Sequence, residues 1–260
     1  MPSGRLPRTP TALEDRLCMD LLIERIRKAR SVAVLTGAGV SAESGIPTFR
    51  DAQTGLWARY QPSELATPDA FRRNPRLVWE WYAYRRGLVE AAAPNPAHLA
   101  LAELERRIPG FTLITQNVDG LHRRAGSRNV VELHGNITRT KCFDEDRLVE
   151  SWPRTAEVPP RCPRCGGPLR PDVVWFGEAL PQDAWRAAVA AADGCDVFLA
   201  VGTSGVVWPA AELPIQARHA GAYTAEINLE QAALHGRLDA HLYGPAGRIL
   251  PAVVAALEGD

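Results

Sequence analysis

The sequence of 260 residues lacks several features that define specialised classes of protein. It contains no run of about 18 apolar residues, so no helix that spans a bilayer is expected. It has no excess charge of either sign, because 30 basic residues balance 30 acidic ones. A chain without a basic field has little attraction for the phosphate backbone of nucleic acid. We therefore expect neither a membrane nor a nucleic acid as a partner.

Cysteine is also scarce. The five cysteines are an odd number, which favours free thiols in a reducing compartment over a disulfide framework. The first fifteen residues contain prolines and arginines but no apolar core, which is not typical of a secretory signal. What is present is an ordinary globular composition, with 46% hydrophobic and 23% charged residues. These features predict a cytoplasmic protein with a flexible N-terminal tail over residues 1–15.

Short apolar runs alternate with amphipathic segments along most of the chain. The runs have the length and composition of buried parallel strands. The predicted strands are residues 32–35, 112–115, 130–133, 197–201 and 223–228, and the predicted helices are residues 13–30, 75–93, 98–107 and 183–192. Strands that alternate with helices form a parallel sheet covered on both faces. The predicted fold class is therefore α/β, with a doubly wound, Rossmann-like parallel sheet.

Two segments are longer than a crossover between neighbouring strands requires. We expect them to form a second, smaller lobe of the same domain. The domain is predicted at residues 16–258, with the large lobe at about 16–48, 96–136 and 178–258 and the small lobe at about 49–95 and 137–177.

A glycine-rich turn follows the first predicted strand. Residues 37–42, GAGVSA, match the alanine form of the G-x-G-x-x-G/A pattern for dinucleotides. Glycines at these positions let backbone amides approach a pyrophosphate without interference from a β-carbon. By itself the pattern leaves an ordinary turn open, because the acidic residue usual about 20 positions later is missing.

The wider run around this turn is more informative. Residues 37–55, GAGVSAESGIPTFRDAQTG, resemble the signature of the sirtuin family almost throughout. The resemblance implies an enzyme that consumes NAD as a co-substrate, with this run as its flexible cofactor loop. Phe49 is then expected beside the nicotinamide, and Arg50 near the ribose and phosphates. The cofactor-binding residues implied in this run are Gly37, Ala38, Gly39, Ser41, Ala42, Phe49 and Arg50.

Polar residues follow the second predicted strand, in TQNVDGLH at residues 115–122. Doubly wound folds place ligand-binding residues at such strand ends, although a polar loop with an Asp-Gly turn would look similar. The segment resembles the sirtuin TQNxDxLH motif. The resemblance implies that Gln116, Asn117 and Asp119 surround the nicotinamide and its ribose, and that Asn117 and Asp119 take part in catalysis.

His134 precedes Gly135 at the end of the third predicted strand. A lone histidine at a strand end is more often structural than catalytic, but its pKa near neutrality suits a general base. The pair matches the sirtuin catalytic histidine. The resemblance implies that the acyl oxygen of a modified lysine attacks the anomeric carbon of the nicotinamide ribose and that nicotinamide departs. His134 then removes a proton from the ribose hydroxyls, and the products are lysine, nicotinamide and O-acyl-ADP-ribose.

Later segments complete the site that the resemblance implies. The further cofactor-binding residues are Gly202, Thr203, Ser204, Asn228, Leu229, Glu230 and Ala246. Glu230 could supply the carboxylate for the adenosine ribose that is missing after the glycine turn. Residues 173–178 resemble the family strand that pairs with an extended substrate peptide. The substrate-binding residues implied there are Val174, Trp175, Phe176 and Gly177.

Three cysteines lie in the predicted small lobe. Cys162 and Cys165 form a Cys-x-x-Cys knuckle, whereas Cys142 is followed at the matching position by Glu145. The spacing suits a zinc-ribbon lobe, and the sirtuin resemblance implies a structural zinc ion held by Cys142, Cys162 and Cys165. The fourth ligand would be Glu145 or water; alternatively, the lobe folds without a metal.

Tyr82 and Arg85 lie three residues apart in a predicted helix and so share one of its faces. A phenol and a guanidinium can bind a carboxylate together, but an amphipathic helix with its arginines in water would show the same spacing. The pair resembles that of the sirtuin subclass that removes succinyl and malonyl groups from lysine. The resemblance implies acylated-lysine proteins as partners. Separately, we expect a monomer. A general deacetylase, a mono-ADP-ribosyltransferase and a non-catalytic ADP-ribose-binding module remain the alternatives.

Overall fold

The computed structural model describes residues 12–48, 60–153 and 156–258, and Phe49 and Arg50 lie outside these ranges. The strands are β1 Ser31–Thr36, β2 Gly110–Thr115, β3 Val130–Glu132, β4 Gly135–Cys142, β5 Leu169–Val173, β6 Val197–Val201, β7 Tyr223–Asn228 and β8 Ala240–Tyr243. Six of them form one sheet in the order β3-β2-β1-β6-β7-β8. All neighbours in this sheet pair in parallel. The predicted doubly wound α/β fold is confirmed.

Helices cover both faces of the sheet. Their bounds are α1 Ala12–Lys28, α2 Ala38–Ala42, α3 Pro62–Leu65, α4 Pro68–Arg73, α5 Pro75–Ala91, α6 Pro96–Arg107, α7 Leu121–Arg124, α8 Gln182–Gly194, α9 Leu213–His219 and α10 Ala246–Glu258. One face packs mainly on α1, α6 and α10, and the other on α8 and α9. The central strands are therefore apolar on both sides, as in β6, where all five residues are buried.

The strand order reverses between β1 and β6, which are neighbours in the sheet although they lie far apart in the sequence. Crossovers on the two sides of this point run in opposite directions, so a crevice opens beyond the carboxyl ends of β1 and β6. The glycine turn after β1 and the Gly202-Thr203 segment after β6 both lie at this crevice. The topology thus brings together segments that are more than 150 residues apart.

The smaller set of elements combines α3, α4 and α5 with an antiparallel pair, β4 and β5. Its core is aromatic, with Phe71, Trp81, Tyr82 and Trp175 all buried. The helix α1 begins at Ala12, four residues before the predicted domain boundary. Within the described part of the chain, none of the helices combines the length and the apolar character that crossing a bilayer requires.

Candidate active site

Ser41 connects the two polar segments beside the crevice. Its hydroxyl donates to Asp119 Oδ2 at 2.8 Å and accepts from Asn117 Nδ2 at 3.1 Å. Asn117 Nδ2 also donates to the carbonyl of Gly37 at 2.9 Å. All three side chains are nearly inaccessible to water, with exposures of 2% for Ser41, 9% for Asn117 and 5% for Asp119. A network whose members are buried and mutually bonded fixes the orientation of each side chain.

Asp119 has defined hydrogen-bond partners. Its Oδ1 accepts from the amide of Leu121 at 2.8 Å, at the start of α7. Burial raises the pKa of Asp119, and the hydrogen bonds from Leu121 and Ser41 oppose that shift. The structure therefore places a desolvated, oriented acidic group next to the glycine turn.

A second set of contacts joins the ends of β2, β6 and β7. Gln116 Nε2 donates to Thr203 Oγ1 at 2.9 Å, and Asn228 Nδ2 donates to the carbonyl of Thr203 at 2.9 Å. Three segments that the sequence placed in one site are thus in direct contact through Thr203. Ser204 follows at the same crevice, within the loop after β6.

The glycine turn has a structural reason that the sequence pattern did not reveal. The amide of Gly37 donates to the carbonyl of Val201 at 3.0 Å, and that of Gly39 donates to Gly202 at 2.9 Å. A β-carbon on Gly39 would lie 2.8 Å from the oxygen of Gly202, too close for any side chain. These two amides are therefore engaged by the neighbouring strand end rather than left for a pyrophosphate, and the glycines allow two loops to touch. Ala38 and Ala42 begin and end the short helix α2 that follows.

His134 lies in the two-residue turn between β3 and β4, so its side chain sits at the carboxyl edge of the sheet. Its Nδ1 is 2.9 Å from the carbonyl oxygen of Gln116. A carbonyl can only accept, so Nδ1 carries the proton and Nε2 of the neutral ring keeps a lone pair. Burial lowers the pKa of His134, while the bond to Gln116 opposes the shift. The ring is thus kept neutral and able to accept a proton at Nε2.

Two further histidines, His98 and His122, are buried and lie close together. His122 Nε2 is 2.9 Å from Thr36 Oγ1, and its ring centroid is 4.7 Å from that of His98. Burial lowers the pKa of His98 to about 4 and that of His122 to about 3. His98 also completes the capping box of α6 by accepting from the amide of Asn95. Both histidines are therefore neutral packing residues.

Glu226 and Glu43 make polar contacts that the sequence did not indicate. Glu226, in the middle of β7, is fully buried and lies 3.0 Å from His241 Nδ1 on β8 and 3.3 Å from Asn228 Nδ2. Glu43 accepts from the amide of Gly247 at 3.0 Å and so ties the residue after α2 to the first turn of α10. A carboxylate is favourable at a helix N-terminus.

The remaining predicted cofactor residues are placed as follows. Ala246 is buried and is the first residue of α10. Leu229 and Glu230 follow β7, and both are exposed, with Leu229 at 63%. Phe49 and Arg50 are outside the described residues.

Residues 174–177 are not a strand, which corrects the expectation from the sequence. The strand β5 ends at Val173, and a turn follows. The amide of Val174 donates to the carbonyl of His134, and that of Phe176 donates to Ala66, both at 2.9 Å. These bonds to separate loops, together with the positive φ of 87° at Gly177, interrupt the ladder. Phe176 remains 52% exposed beside this turn.

Tyr82 and Arg85 are both buried on α5, with exposures of 2% and 8%. The hydroxyl oxygen of Tyr82 accepts from the indole Nε1 of Trp175 at 2.9 Å. The guanidinium of Arg85 lies 5.3 Å from the ring centroid of Trp81. The alternative of an amphipathic helix with its arginines in water does not hold for Arg85. The neighbouring Arg86 instead bonds the carbonyl of Ile137 at 2.9 Å and joins α5 to β4.

The three cysteines of the small lobe converge with Glu145. Their sulfur atoms and a carboxylate oxygen of Glu145 lie within 4.8 Å of one another. Cys142 Sγ and Cys165 Sγ are 3.4 Å apart, and Cys142 and Cys162 are buried. Among the residues that the structure describes, Glu145 Oε2 has no hydrogen-bond partner although it is buried. Four candidate ligands of the types that bind zinc are therefore grouped in one place.

Comparison with known families agrees with this arrangement. A model of the Sir2 family matches residues 37–209, which include the glycine turn, the TQNVDGLH segment, His134 and all three clustered cysteines. The chain belongs to the Sir2 family, the sirtuins.

Relatives of this sirtuin cover nearly its whole length. An NAD-dependent protein deacylase 2 from Pyrobaculum aerophilum is 55% identical over 90% of this chain and 93% of its own length. An NAD-dependent protein deacylase from Methylococcus capsulatus is 50% identical over 92% and 97%. The crystal structure of a Sir2 homologue–NAD complex superimposes with a TM-score of 0.86 at 47% identity, covering 92% of this chain and 93% of that one. A structure of Sir2 with a p53 peptide and NAD+ gives a TM-score of 0.81 at 31% identity, over 91% and 97%.

Proposed function

We propose that this sirtuin is an NAD-dependent protein-lysine deacylase that removes succinyl and malonyl groups in preference to acetyl groups. The relatives named NAD-dependent protein deacylases, at 55% and 50% identity, support the reaction class. The observation that carries the acyl preference is the burial of Arg85 beside Tyr82 on one face of α5.

The residues of the crevice suit this reaction. When bound, NAD supplies the ribose carbon that the acyl oxygen attacks as nicotinamide leaves. Asn117 and Asp119, oriented through Ser41, would hold the nicotinamide ribose in position. His134, with its proton on Nδ1, would take a proton from a ribose hydroxyl through Nε2. Because the pKa of His134 is lowered, the ring is in its basic form at neutral pH.

A buried guanidinium favours an acyl group that ends in a carboxylate. Arg85 is shielded from bulk water, so water competes weakly with a bound anion and the charge-assisted bond is strong. The adjacent phenol of Tyr82 would donate a second hydrogen bond to the same carboxylate. An acetyl group ends in a methyl and gains from neither contact, so the pair discriminates by charge rather than by size.

The decisive experiment compares NAD-dependent turnover of peptides that differ only in a succinyl, malonyl or acetyl group on one lysine. Wild type is expected to favour the acidic groups, and Arg85→Met should lower desuccinylation by about 10- to 150-fold, the effect of losing a charge-assisted hydrogen bond. Acetyl turnover should change much less. Arg76→Met is the matched control, because Arg76 is exposed on the same helix and pairs with Glu80.

Other results would assign another function. Preference for acetyl, unchanged in Arg85→Met, would indicate a general deacetylase. Radiolabel that stays on protein after incubation with labelled NAD would indicate mono-ADP-ribosyl transfer. NAD binding without release of nicotinamide would indicate a binding module that has no deacylase chemistry.

We also propose that the cysteine cluster holds a structural zinc ion, with Glu145 as its fourth ligand. The donor set fits, because three thiols and one carboxylate oxygen are close enough to surround one ion. The buried Oε2 of Glu145 makes no hydrogen bond within the described ranges, and a cation would satisfy it. Glu145 Oε1 lies 3.3 Å from Arg164 Nη2, a contact that would hold the carboxylate in place.

We place the protein in the cytoplasm. All five cysteines are free thiols, and three of them are grouped as candidate metal ligands rather than paired in disulfides. Free thiols of this kind persist in reducing compartments.

A further inference from the structure

Trp175 has a fixed backbone at the edge of the candidate substrate site. Its amide donates to Glu178 Oε2 at 2.8 Å. The amides on either side, of Val174 and Phe176, donate to the carbonyls of His134 and Ala66. Three consecutive amides are thus bonded to three different partners, which leaves little freedom in this turn.

The indole of Trp175 is equally constrained. It is 1% exposed, and the guanidinium of Arg170 lies 3.2 Å from its ring centroid. Phe71 contacts the indole with a centroid separation of 5.3 Å. Arg170 is itself held by Glu178, with Nη1 2.5 Å from Oε1 and Nη2 3.0 Å from Oε2. The cation therefore clamps the ring, and the ring direction is set before any ligand arrives.

The indole N–H of this clamped ring points at the phenol oxygen of Tyr82, 2.9 Å away. An indole nitrogen is only a donor, so the phenol oxygen must be the acceptor in this contact. The phenol proton is then directed elsewhere, and a hydroxyl that accepts one hydrogen bond becomes a stronger donor of another. Burial raises the pKa of Tyr82, so the hydroxyl keeps its proton at neutral pH.

We propose that Trp175 is a positioning residue for acyl selectivity: its indole N–H fixes the Tyr82 hydroxyl as a hydrogen-bond donor toward a carboxylate on the acyl group. This inference rests on the proposed preference for acidic acyl groups. A carboxylate accepts hydrogen bonds and donates none, so a phenol held as a donor suits it. A phenol free to turn would present its oxygen lone pairs as often and would repel the same group.

Trp175 also links the expected contact with the substrate peptide to the expected contact with the acyl group. The backbone of Trp175 belongs to the segment expected to contact the substrate peptide, and its side chain sets the group expected to contact the acyl terminus. The two residues are 93 positions apart in the chain. Peptide contacts at residues 174–177 would therefore bear directly on how Tyr82 presents its proton.

The test uses Trp175→Phe, which removes the N–H but keeps an aromatic ring for Arg170 and Phe71 to contact. We expect the ratio of kcat/KM for the succinyl peptide to that for the acetyl peptide to fall by about 3- to 10-fold, the range for one hydrogen bond. The change should be mainly in KM for the succinyl peptide. Trp185→Phe is the matched control, because Trp185 is a half-buried tryptophan on α8 and packs in the large lobe, away from the small-lobe core that contains Trp175.

Two further variants separate positioning from packing. Tyr82→Phe should lower the same ratio, and adding Trp175→Phe to it should lower the ratio by less than about twofold more, because the two changes remove the same interaction. Equal losses on both peptides, or full additivity of the two substitutions, would show that Trp175 only packs and would overturn the inference.

An NMR measurement distinguishes this failure from failure of the proposed function. In ¹⁵N-labelled protein, Tyr82→Phe should move the Trp175 indole N–H resonance upfield, as expected for a lost hydrogen bond, whereas Trp185→Phe should not move it. If that shift occurs but wild type does not favour acidic acyl groups, the proposed acyl preference is wrong, and the role of Trp175 in acyl selectivity is overturned as well. If acidic groups are favoured but the resonance does not move, only the positioning role of Trp175 is overturned.

Discussion

The two lobes differ in where their buried polar and charged side chains lie. In the large lobe the core is mainly aliphatic, and at the carboxyl edge of the sheet Ser41 bonds to both Asn117 and Asp119. In the small lobe the core is aromatic and contains cations, with Arg170 against Trp175 and Arg85 against Trp81. The first arrangement follows from sheet topology, whereas the second depends on individual side chains.

From this difference we infer that the two lobes have different roles in the reaction. In the proposed function, the site built from strand ends and backbone contacts binds NAD, the co-substrate shared by all acyl groups. A site built from single side chains in a packed core can change its preference when one of them changes. Substitutions in the large lobe should therefore affect all acyl groups alike, and those in the small lobe should affect some more than others.

The largest effect is expected in the large lobe. His134→Ala should lower kcat for succinyl, malonyl and acetyl peptides equally, by about 10²- to 10⁴-fold, because the proposed general base is lost. His219→Ala, an exposed histidine at the end of α9, is the control and should leave kcat unchanged. Measured rate constants for the three peptides check this. A loss confined to one acyl group would contradict the division between the lobes and would place His134 in acyl recognition instead.

The large lobe is also the part that could be predicted best from the sequence. All five predicted strands are present, because a buried parallel strand appears as a short apolar run wherever it lies in the chain. The strand β8 was missed because it lies at the edge of the sheet and its buried residues alternate with partly buried ones, so it forms no continuous apolar run. The helix α10 was missed because Pro251 lies within it. Pro251 disfavours a helix locally, yet Leu250, Val253 and Val254 are buried, so packing overrides the local preference.

The candidate site could be predicted as a set of residues but not as a set of contacts. Motifs identified Gln116, Asn117 and His134, yet the hydrogen bond of Ser41 to Asp119 joins residues 78 positions apart. The bond from Trp175 to Tyr82 has no local signal at all. Contacts between distant segments depend on loop geometry, and periodicity carries no information about them. The same reason explains why residues 174–177 were expected as a strand and are a turn.

A smaller effect, on the small lobe alone, is expected at the metal site. Substitution of a residue that only supports a metal ligand typically lowers metal affinity by about 10- to 100-fold. Glu145→Ala removes a proposed ligand itself, so it should weaken zinc binding by at least about tenfold. Glu145→Cys should bind zinc at least as tightly as wild type does. Metal analysis and competition with a chromogenic chelator would measure both, and Glu157→Ala is the control, since Glu157 is exposed and pairs with Arg161.

Cobalt substitution gives a readout of the Glu145 site that is independent of activity. The thiolate-to-cobalt charge-transfer band should keep its intensity in Glu145→Ala, because three thiolates remain, and should gain intensity in Glu145→Cys. Unchanged zinc affinity in Glu145→Ala would mean that water is the fourth ligand. Protein that binds no zinc, yet keeps the small lobe folded, would mean that the lobe needs no metal.

The smallest effect concerns the stability of the large lobe at mildly acidic pH, and it arises from His98 and His122. Their pKa values in the folded protein, about 4 and about 3, are below the ordinary value of 6.5, so the unfolded chain takes up protons first as the pH falls. Stability is therefore present above pH 6.5 and is lost below it, by at most about 1.4 kcal/mol per pH unit for each such histidine. Urea unfolding at pH 7, 6 and 5 should show a shallower decline in His122→Asn than in wild type, although the variant is less stable overall. His219→Asn, at an exposed site, should keep the wild-type slope. Equal slopes in wild type and His122→Asn would show that His122 is not buried in its neutral form, and the large lobe would then tolerate charge in its interior as the small lobe does.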